Sequence, residues 1–151
     1  MLSTDEKMQA LIIPLRQQNL VLPQSALVEV LPMPEIQPVA QSEAWLAGTI
    51  EWRGRAIPLV SIERYCGWVG LDQTRARRVA VLNGIGSEVP HYAIEIQSVP
   101  HPIRLGRNDL VSVEGERRCE LVAGHVQALG VWAVLMRLDI LEKVVAKNLK
   151  D

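Results

Sequence analysis

The sequence GTIEWRGRAIPLVSI, residues 48–62, decides the fold that we predict for this chain. Two apolar runs of strand length flank a corner at Gly54, a residue that readily adopts the positive φ of a tight hairpin turn. Side chains alternate along a strand, so Ile50 and Trp52 point to one face of the first run and Arg53 points to the other. The stretch therefore predicts a β-hairpin that displays charge from a buried ribbon.

Prolines set the expected limits of several strands. Because proline cannot donate a ladder hydrogen bond, Pro58 indicates an edge or the start of a strand, and Pro14 indicates an edge. Pro100 and Pro102 are expected to end the strand that precedes them. The polar residues 107–116 are predicted to form a loop.

The rest of the chain is predicted to fold as short strands around this hairpin. Residues 1–9 are polar and predict a flexible N-terminal tail, and residues 10–151 predict a single domain. Apolar residues at helical spacing predict a C-terminal helix over residues 139–150, with Asp139 and Glu142 capping its start. The other predicted strands cover residues 10–15, 20–22, 25–30, 79–83 and 92–99.

A faint internal repeat predicts a second hairpin late in the chain. The pairs that match under a shift of 76 residues include Gly48 with Gly124, Gly54 with Gly130, Ile50 with Val126, and Leu59 with Leu135. The repeat indicates one supersecondary unit used twice, once in each of two small β-barrels. Arg53 falls on Leu129, so only the first corner carries a charge. This difference places the predicted functional surface in the first copy.

At these residues the sequence resembles the CheW family of bacterial chemotaxis coupling proteins. That family carries a glycine, an apolar strand, an Arg-Gly corner, an apolar-Pro pair and a second apolar strand. The matching residues here are Gly48, Ile50, Arg53-Gly54, Ile57-Pro58 and Leu59-Val60. Upstream, Leu27-Val28-Glu29-Val30 stand where the family has an apolar-x-Glu-apolar strand. The resemblance covers residues 10–145.

The resemblance implies an all-β, CheW-like fold of two intertwined, five-stranded SH3-like β-barrels with a short C-terminal helix. It also implies a non-catalytic adaptor, without cofactor, that couples methyl-accepting chemoreceptors to a CheA-type histidine kinase. The expected partners are the regulatory domain of the kinase and the cytoplasmic tip of the receptor. The expected location is the cytoplasm, at receptor arrays on the inner membrane. The residues expected to bind partners are Leu27, Val28, Glu29, Val30, Gly48, Glu51, Arg53 and Gly54.

Arg53 also has a purely structural interpretation. An arginine beside a turn glycine often only hydrogen-bonds neighbouring carbonyls, and the residues alone favour that role. The resemblance reverses the preference, because the matching arginine of the family is implicated in holding receptor tips and the kinase.

Two positions depart from the family pattern, since Ala93 stands in place of Gly and Gln97 in place of Asp. Divergent members often serve alternative chemosensory systems, including those that govern type IV pilus twitching. The alternative hypotheses are a β-barrel interaction module outside chemotaxis, and a family member that binds receptor but no kinase.

Composition and charge restrict the other classes of function. Apolar residues make up 48% of the chain and the net charge is −1, which gives no electrostatic reason to expect nucleic acid or an anionic membrane as partner. The sequence shows neither an apolar run near the ~20 residues of a membrane span nor a signal-peptide pattern, so we expect no membrane insertion. Cys66 and Cys119 show no CxxC spacing, which predicts two reduced thiols.

Catalytic patterns do not stand out in the sequence. The histidines lack the spacing of metal ligands, and Ser61 lies in a strand rather than in a nucleophile elbow. Phe is absent, aromatic residues make up 4% of the chain, and the tryptophans lie in apolar contexts that suit a core better than a base-stacking surface. We therefore predict a protein-binding module that is neither an enzyme nor a nucleic-acid-binding protein.

Overall fold

The computed structural model describes residues 7–40, 42–70, 75–86, 88–115 and 119–149. The strands within these residues are β1 (Met8–Pro14), β2 (Asn19–Pro23), β3 (Leu27–Pro32), β4 (Leu46–Trp52), β5 (Arg55–Val60), β6 (Arg78–Asn83), β7 (His91–Ile96), β8 (His101–Leu105), β9 (Leu110–Val113), β10 (Val122–Ala128) and β11 (Val131–Met136). The α-helices are α1 (Ile62–Tyr65) and α2 (Leu138–Leu149). Across the described ranges, neither helix combines the length and hydropathy that a membrane crossing requires.

Near the two ends of the chain, the boundaries of the elements differ slightly from the predicted ones. β1 begins at Met8, inside the segment predicted to be a flexible tail. The C-terminal helix agrees with the prediction and begins one residue earlier, at Leu138. Residues 1–6 of the predicted tail, Glu116 of the predicted loop and Lys150 of the predicted helix lie outside the described residues.

The strands form two intertwined sheets. Sheet A has the order β8-β1-β2-β11-β10-β9, and sheet B has the order β3-β6-β7-β5-β4. The chain builds two strands of sheet A, leaves to build all of sheet B, and then returns to complete sheet A. Neighbouring strands are antiparallel except for two parallel pairs, β2 with β11 and β5 with β7.

Each sheet curves until its two edge strands approach one another. In sheet B, Glu29 of edge strand β3 accepts a hydrogen bond from Trp52 of the opposite edge strand, β4. In sheet A, a short turn joins edge strands β8 and β9, and the Gly106 N–H donates to Asp109 there at 2.7 Å. Each sheet also encloses its own apolar cluster. The predicted all-β fold is confirmed, but sheet A has six strands among the described residues rather than five.

A third apolar cluster, the shared core, lies between the two sheets. Leu20 of β2, Tyr92 of β7 and Leu121 of the turn before β10 are fully buried in it. Helix α2 packs against the same cluster with Leu141 and Val145, as its helical spacing predicted. Burial of this apolar surface, at about 25 cal/mol per Å², is the main force that holds the sheets together.

The predicted internal repeat is present in the backbone. Both corner residues of the β4–β5 hairpin have positive φ, 50° at Arg53 and 78° at Gly54, as a type I′ turn requires. The β10–β11 hairpin repeats these values, with 50° at Leu129 and 82° at Gly130. Each hairpin has a register shift at the matching position of its first strand, and each second strand leads into a helix. One structural unit therefore occurs twice, once in each sheet.

Several predictions based on proline are wrong. Strands β1 and β5 each lie between two neighbours, so neither is an edge strand. Their prolines are tolerated because Pro14 lies beyond the last residue that pairs with β8, and Pro58 precedes the first residue that pairs with β7. Pro102 lies within β8, which is an edge strand and can accommodate it. The predicted loop over residues 107–116 contains β9.

Two buried carboxylates tie the helices to hairpin turns of the opposite sheet. Glu142 of α2 accepts hydrogen bonds from the N–H groups of Ile85 and Gly86, each at 3.0 Å, and from the Tyr92 hydroxyl at 3.1 Å. Glu63 of α1 makes the reciprocal contact, because it accepts a hydrogen bond at 3.3 Å from a backbone N–H in the β1–β2 turn. The predicted capping role of Glu142 is therefore wrong: its carboxylate joins the two sheets instead.

Cys66 and Cys119 form a disulfide, with Cα atoms 5.2 Å apart. The prediction of two reduced thiols is wrong, because the fold brings the residue after α1 next to the turn before β10. Beside the disulfide, the Tyr65 hydroxyl donates a hydrogen bond to the Glu120 carboxylate. These two contacts join the end of the β4–β5–α1 segment to the segment that enters β10. We name this region the junction.

The two tyrosines give a pH signature that tests these contacts. Burial, reinforced by Glu142, raises the pKa of Tyr92 far above its usual value of about 10, and burial and Glu120 raise the pKa of Tyr65 to about 12. We expect no phenolate absorbance near pH 10 and ionisation of Tyr65 near pH 12. Because the folded-state pKa of Tyr65 is raised, its contribution to stability is complete below pH 10 and is lost as the pH rises through 12. A phenolate step near pH 10 in the folded protein would contradict the contact of the tyrosine that ionises.

Candidate functional site

The predicted charged corner lies at the tip of the β4–β5 hairpin. Trp52 points into the barrel and is 4% exposed, whereas 63% of the Arg53 side chain is exposed. This is the alternation that the sequence predicts for β4. Trp52 still belongs to the corner, because the Arg53 guanidinium lies over its ring, 4.6 Å from the ring centroid.

Glu29 reaches the corner from β3, on the other edge of sheet B. Its carboxylate accepts a hydrogen bond from the Trp52 indole N–H at 3.0 Å and lies 3.4 Å from a guanidinium nitrogen of Arg53. The structure therefore brings together two predicted site residues that are distant in the sequence. Trp52 fixes their arrangement, since it contacts both.

The other side of the corner was not predicted from the sequence. The His91 ring packs at a tilt against Trp52, with ring centroids 4.9 Å apart, and its Nδ1 lies 3.3 Å from a guanidinium nitrogen of Arg55. The register of the β4–β5 hairpin places Arg55 opposite Trp52, so Arg55 could have been inferred from the turn. No sequence pattern indicated His91. We name Glu29, Trp52, Arg53, Arg55 and His91 the corner cluster.

The corner cluster has an excess of positive charge and is accessible to a partner. It carries two guanidinium groups and one carboxylate, and the side chains of Arg53 and Glu29 are 63% and 39% exposed. An exposed ion pair of this kind contributes about 0 to 1 kcal/mol, and the cation–π contact about 0.5 to 1 kcal/mol. A carboxylate on a partner can therefore compete with Glu29 for Arg53 at small cost.

The apolar residues predicted to bind partners are mostly packed into the protein. Val28 contacts the apolar cluster inside sheet B, and Leu27 and Val30 pack against the shared core. All three are half-buried. Their remaining exposed surface lies along β3, the strand that also carries Glu29.

The two predicted site glycines have different environments. A Cβ at Gly48, where φ is 143°, would lie 2.1 Å from the carbonyl oxygen of Gln37. A Cβ at Gly54 would meet no atom of the described residues within 4 Å. Gln37 and Thr49 exchange two backbone hydrogen bonds at 2.8 Å beside Gly48. The absence of a side chain at Gly48 thus permits a close backbone contact. Glu51 is exposed on the outer face of β4.

A second exposed surface lies on sheet A and was not predicted. Val111, Gln127 and Trp132 are cross-strand neighbours on β9, β10 and β11, so their side chains share one face. Trp132 is 60% exposed, contrary to the predicted core position, and the exposed Leu129 extends the apolar surface to the hairpin tip. We name Val111, Gln127, Leu129 and Trp132 the outer patch. The repeat offered a signal, because it aligns Trp132 with Ala56, which precedes the buried Ile57 in β5 and is exposed.

Across the described ranges, no group of three or more His, Cys, Asp or Glu side chains is placed to hold a metal ion. The groups that the corner cluster offers are guanidinium, carboxylate, imidazole and indole, all at a protein surface.

Comparison with known families identifies the domain. The model of the CheW-like domain matches residues 9–143, which is most of the chain. The chain belongs to the CheW-like domain family. Its CheW-like fold is also similar to the crystal structure of the scaffolding protein TtCheW from Thermoanaerobacter tengcongensis, with a TM-score of 0.71 and 15% sequence identity. That match covers 87% of this chain and 89% of TtCheW. A search of curated protein sequences gave no significant match.

The two departures from the CheW pattern occupy buried or half-buried positions on or beside β7. Ala93 is fully buried in the apolar cluster of sheet B. The Gln97 amide donates a hydrogen bond at 2.9 Å to the buried carboxylate of Glu63. An aspartate at Gln97 would place a second carboxylate against Glu63, so the neutral amide is the better partner at this position.

Proposed function

We propose that this protein is a non-catalytic adaptor of bacterial chemosensory signalling. In this role it links the cytoplasmic tips of methyl-accepting chemoreceptors to the regulatory domain of a CheA-type histidine kinase. It would act in the cytoplasm, at receptor arrays on the inner membrane. The observation that carries the proposal is the pair of separate exposed surfaces on a CheW-like domain. An adaptor must hold two partners at once, and the corner cluster and the outer patch lie on different sheets.

The chemistry of the two surfaces differs, which favours two different partners. The corner cluster presents guanidinium groups around a fixed indole and suits a surface that carries carboxylates. The outer patch presents an exposed indole with aliphatic neighbours and suits an apolar surface, since aromatic side chains dominate binding at such contacts. The proposed mechanism is geometric: an adaptor that binds both partners holds the kinase where a change in the receptor alters its activity.

The experiment that tests the proposal measures coupling directly. Receptor fragments, CheA-type kinase and this protein are combined, and kinase autophosphorylation is measured with and without the protein. We expect receptor-dependent kinase activity only when the adaptor is present. Amide chemical shifts of the labelled protein, titrated separately with each partner, should move on two different surfaces. Absence of coupling, with shifts from only one partner, would reduce the proposal to a single-partner binding protein.

Arg53→Glu should weaken binding at the corner cluster without unfolding the protein. The new carboxylate faces Glu29 and repels an acidic partner, so we expect the affinity for that partner to fall by at least about tenfold, the scale of a hot-spot residue. Titration calorimetry with each partner measures the effect. Arg104→Glu makes the same charge change at an exposed position of β8 and should leave the affinity unchanged. Equal losses in both variants would indicate a general charge effect rather than a site.

We further propose that the protein serves an alternative chemosensory system, such as one that governs type IV pilus twitching. The departures at Ala93 and Gln97 support this proposal. Deletion of the gene in its host should reduce twitching and leave swimming unchanged. The reverse result would assign it to flagellar control.

A further inference from the structure

We propose that the Cys66–Cys119 disulfide is a reversible site of thiol–disulfide exchange that controls how firmly the two hairpin units are joined. Cys66 caps the C-terminus of α1, which follows β5 of sheet B, and Cys119 precedes β10 of sheet A. The bond therefore links the ends of the two repeated units. Their hairpins carry the corner cluster and the outer patch.

The disulfide is reachable from solvent on two sides. A cavity of about 420 Å³ is lined by both cysteines together with Gln18, Trp68 and His125, and a second cavity of about 350 Å³ is lined by both cysteines with Tyr65 and Glu120. Cys66 is half-buried, whereas Cys119 is only 8% exposed. Cys66 is therefore the more accessible residue of the pair, and we assign its sulfur as the point of attack by a thiolate.

The junction can open without loss of the fold. The shared core contains many side chains of both sheets besides Cys119, and the Glu63 and Glu142 hydrogen bonds join the sheets independently of the disulfide. Reduction removes one covalent link and leaves these contacts in place. The expected result is a looser junction in a folded protein.

The exchange reaction with a dithiol reductant is balanced. A reductant thiolate attacks Sγ of Cys66, the S–S bond breaks, and the Cys119 thiolate leaves and takes up a proton. The second thiol of the reductant then attacks the mixed disulfide, which frees the Cys66 thiol and oxidises the reductant to its own disulfide. Two electrons and two protons pass to the protein. In the cytoplasm, where thiols are kept reduced, disulfides are usually transient or redox-sensing, which matches an exchangeable bond; this step rests on the proposed location.

The test uses the chain of 151 residues and dithiothreitol as the reductant. The protein is equilibrated in native buffer with reduced dithiothreitol or, after its removal, with excess oxidised glutathione, and is then alkylated and weighed by mass spectrometry. We expect two alkyl groups after reduction, none after re-oxidation, and a melting temperature that falls by about 5 to 15 °C on reduction. Two alkylatable thiols in the oxidising buffer, or a disulfide that opens only in denaturant, would overturn the proposal.

A double variant supplies the control. Cys66→Ser with Cys119→Ser should melt at the temperature of the reduced native chain and should not respond to dithiothreitol. A variant that still responds would show that the effect arises elsewhere and would overturn the proposal. Partner binding is then compared between the oxidised and reduced forms. Loss of all binding in both forms would overturn the proposed adaptor function but leave the exchange site intact, so the two failures are distinguishable.

Discussion

Trp52→Ala is expected to lower the free energy of unfolding by about 3 to 5 kcal/mol, the usual cost of removing a buried aromatic side chain. Trp52 is 4% exposed and packs in the cluster inside sheet B. The substitution leaves a cavity and also removes the indole donor that holds Glu29. Urea denaturation measures the change. A domain of this size should show a fall in melting temperature of roughly 10 °C or more.

Two further variants separate the contributions of the indole ring. Trp52→Phe retains an aromatic ring and removes the hydrogen bond to Glu29, so we expect a smaller loss of about 1 to 2 kcal/mol. Trp132→Ala removes a tryptophan that is exposed on sheet A and should change stability by no more than about 0.5 kcal/mol. An unchanged unfolding midpoint in Trp52→Ala would mean that its ring is not a core element.

Gly48→Ala is expected to destabilise the protein by about 2 to 5 kcal/mol. The added Cβ would approach the Gln37 carbonyl oxygen to 2.1 Å, and alanine is strained at a φ of 143°. Backbone strain of this kind costs about 1 to 3 kcal/mol, and displacement of Gln37 would break its two hydrogen bonds with Thr49 at about 0.5 to 1.5 kcal/mol each. Thermal and urea unfolding measure the loss.

The internal repeat provides a matched control for this glycine. Gly124 occupies the equivalent position in the β10–β11 hairpin, and a Cβ there meets no atom of the described residues within 4 Å. Gly124→Ala should therefore change stability by less than about 1 kcal/mol. If the two variants lose equal stability, the cause is glycine flexibility in general rather than the contact with Gln37. If Gly48→Ala keeps its stability and loses partner binding, Gly48 is a contact residue.

The parts of the fold that were predictable from the sequence depend on local chemistry. The β4–β5 hairpin follows from alternation and a turn glycine, and both lie within one short stretch. Its second copy was detectable because the same turn conformation needs the same glycine, at Gly54 and at Gly130. Helix α2 was predictable because its buried stripe follows helical spacing.

The elements that were missed depend on contacts between distant parts of the chain. Strand β8 contains a proline that an edge strand tolerates, and β9 is a four-residue, mostly apolar run inside a polar stretch, so neither was predicted. The Cys66–Cys119 disulfide depends on the approach of two segments from different sheets, which spacing alone cannot indicate. Glu142 resembled a capping residue because its hydrogen-bond donors, in the β6–β7 turn, are distant in the sequence.

The candidate site was only partly predictable, because its residues also come from distant parts of the chain. The turn motif pointed to Arg53, and the resemblance pointed to Glu29. The ring of Trp52 that joins them was predicted only as a core residue, and His91 was considered only as a metal ligand. Where the edges of a small barrel meet, one residue can belong both to the core and to the binding site. Alternation of apolar and polar residues assigns each side chain to the inside or the outside, so it does not reveal such a residue.

The order of the strands also has a consequence for how the protein folds during synthesis. Sheet B is continuous in the sequence, from β3 to β7, and can form as soon as these residues leave the ribosome. Sheet A must wait, because Leu20 of β2 pairs with Val134 of β11. Until then β2 presents an unpaired edge, the kind of surface on which strands of other chains can add. We expect chains that stop before β11 to aggregate, and the early fold of sheet B to limit the time during which this risk exists.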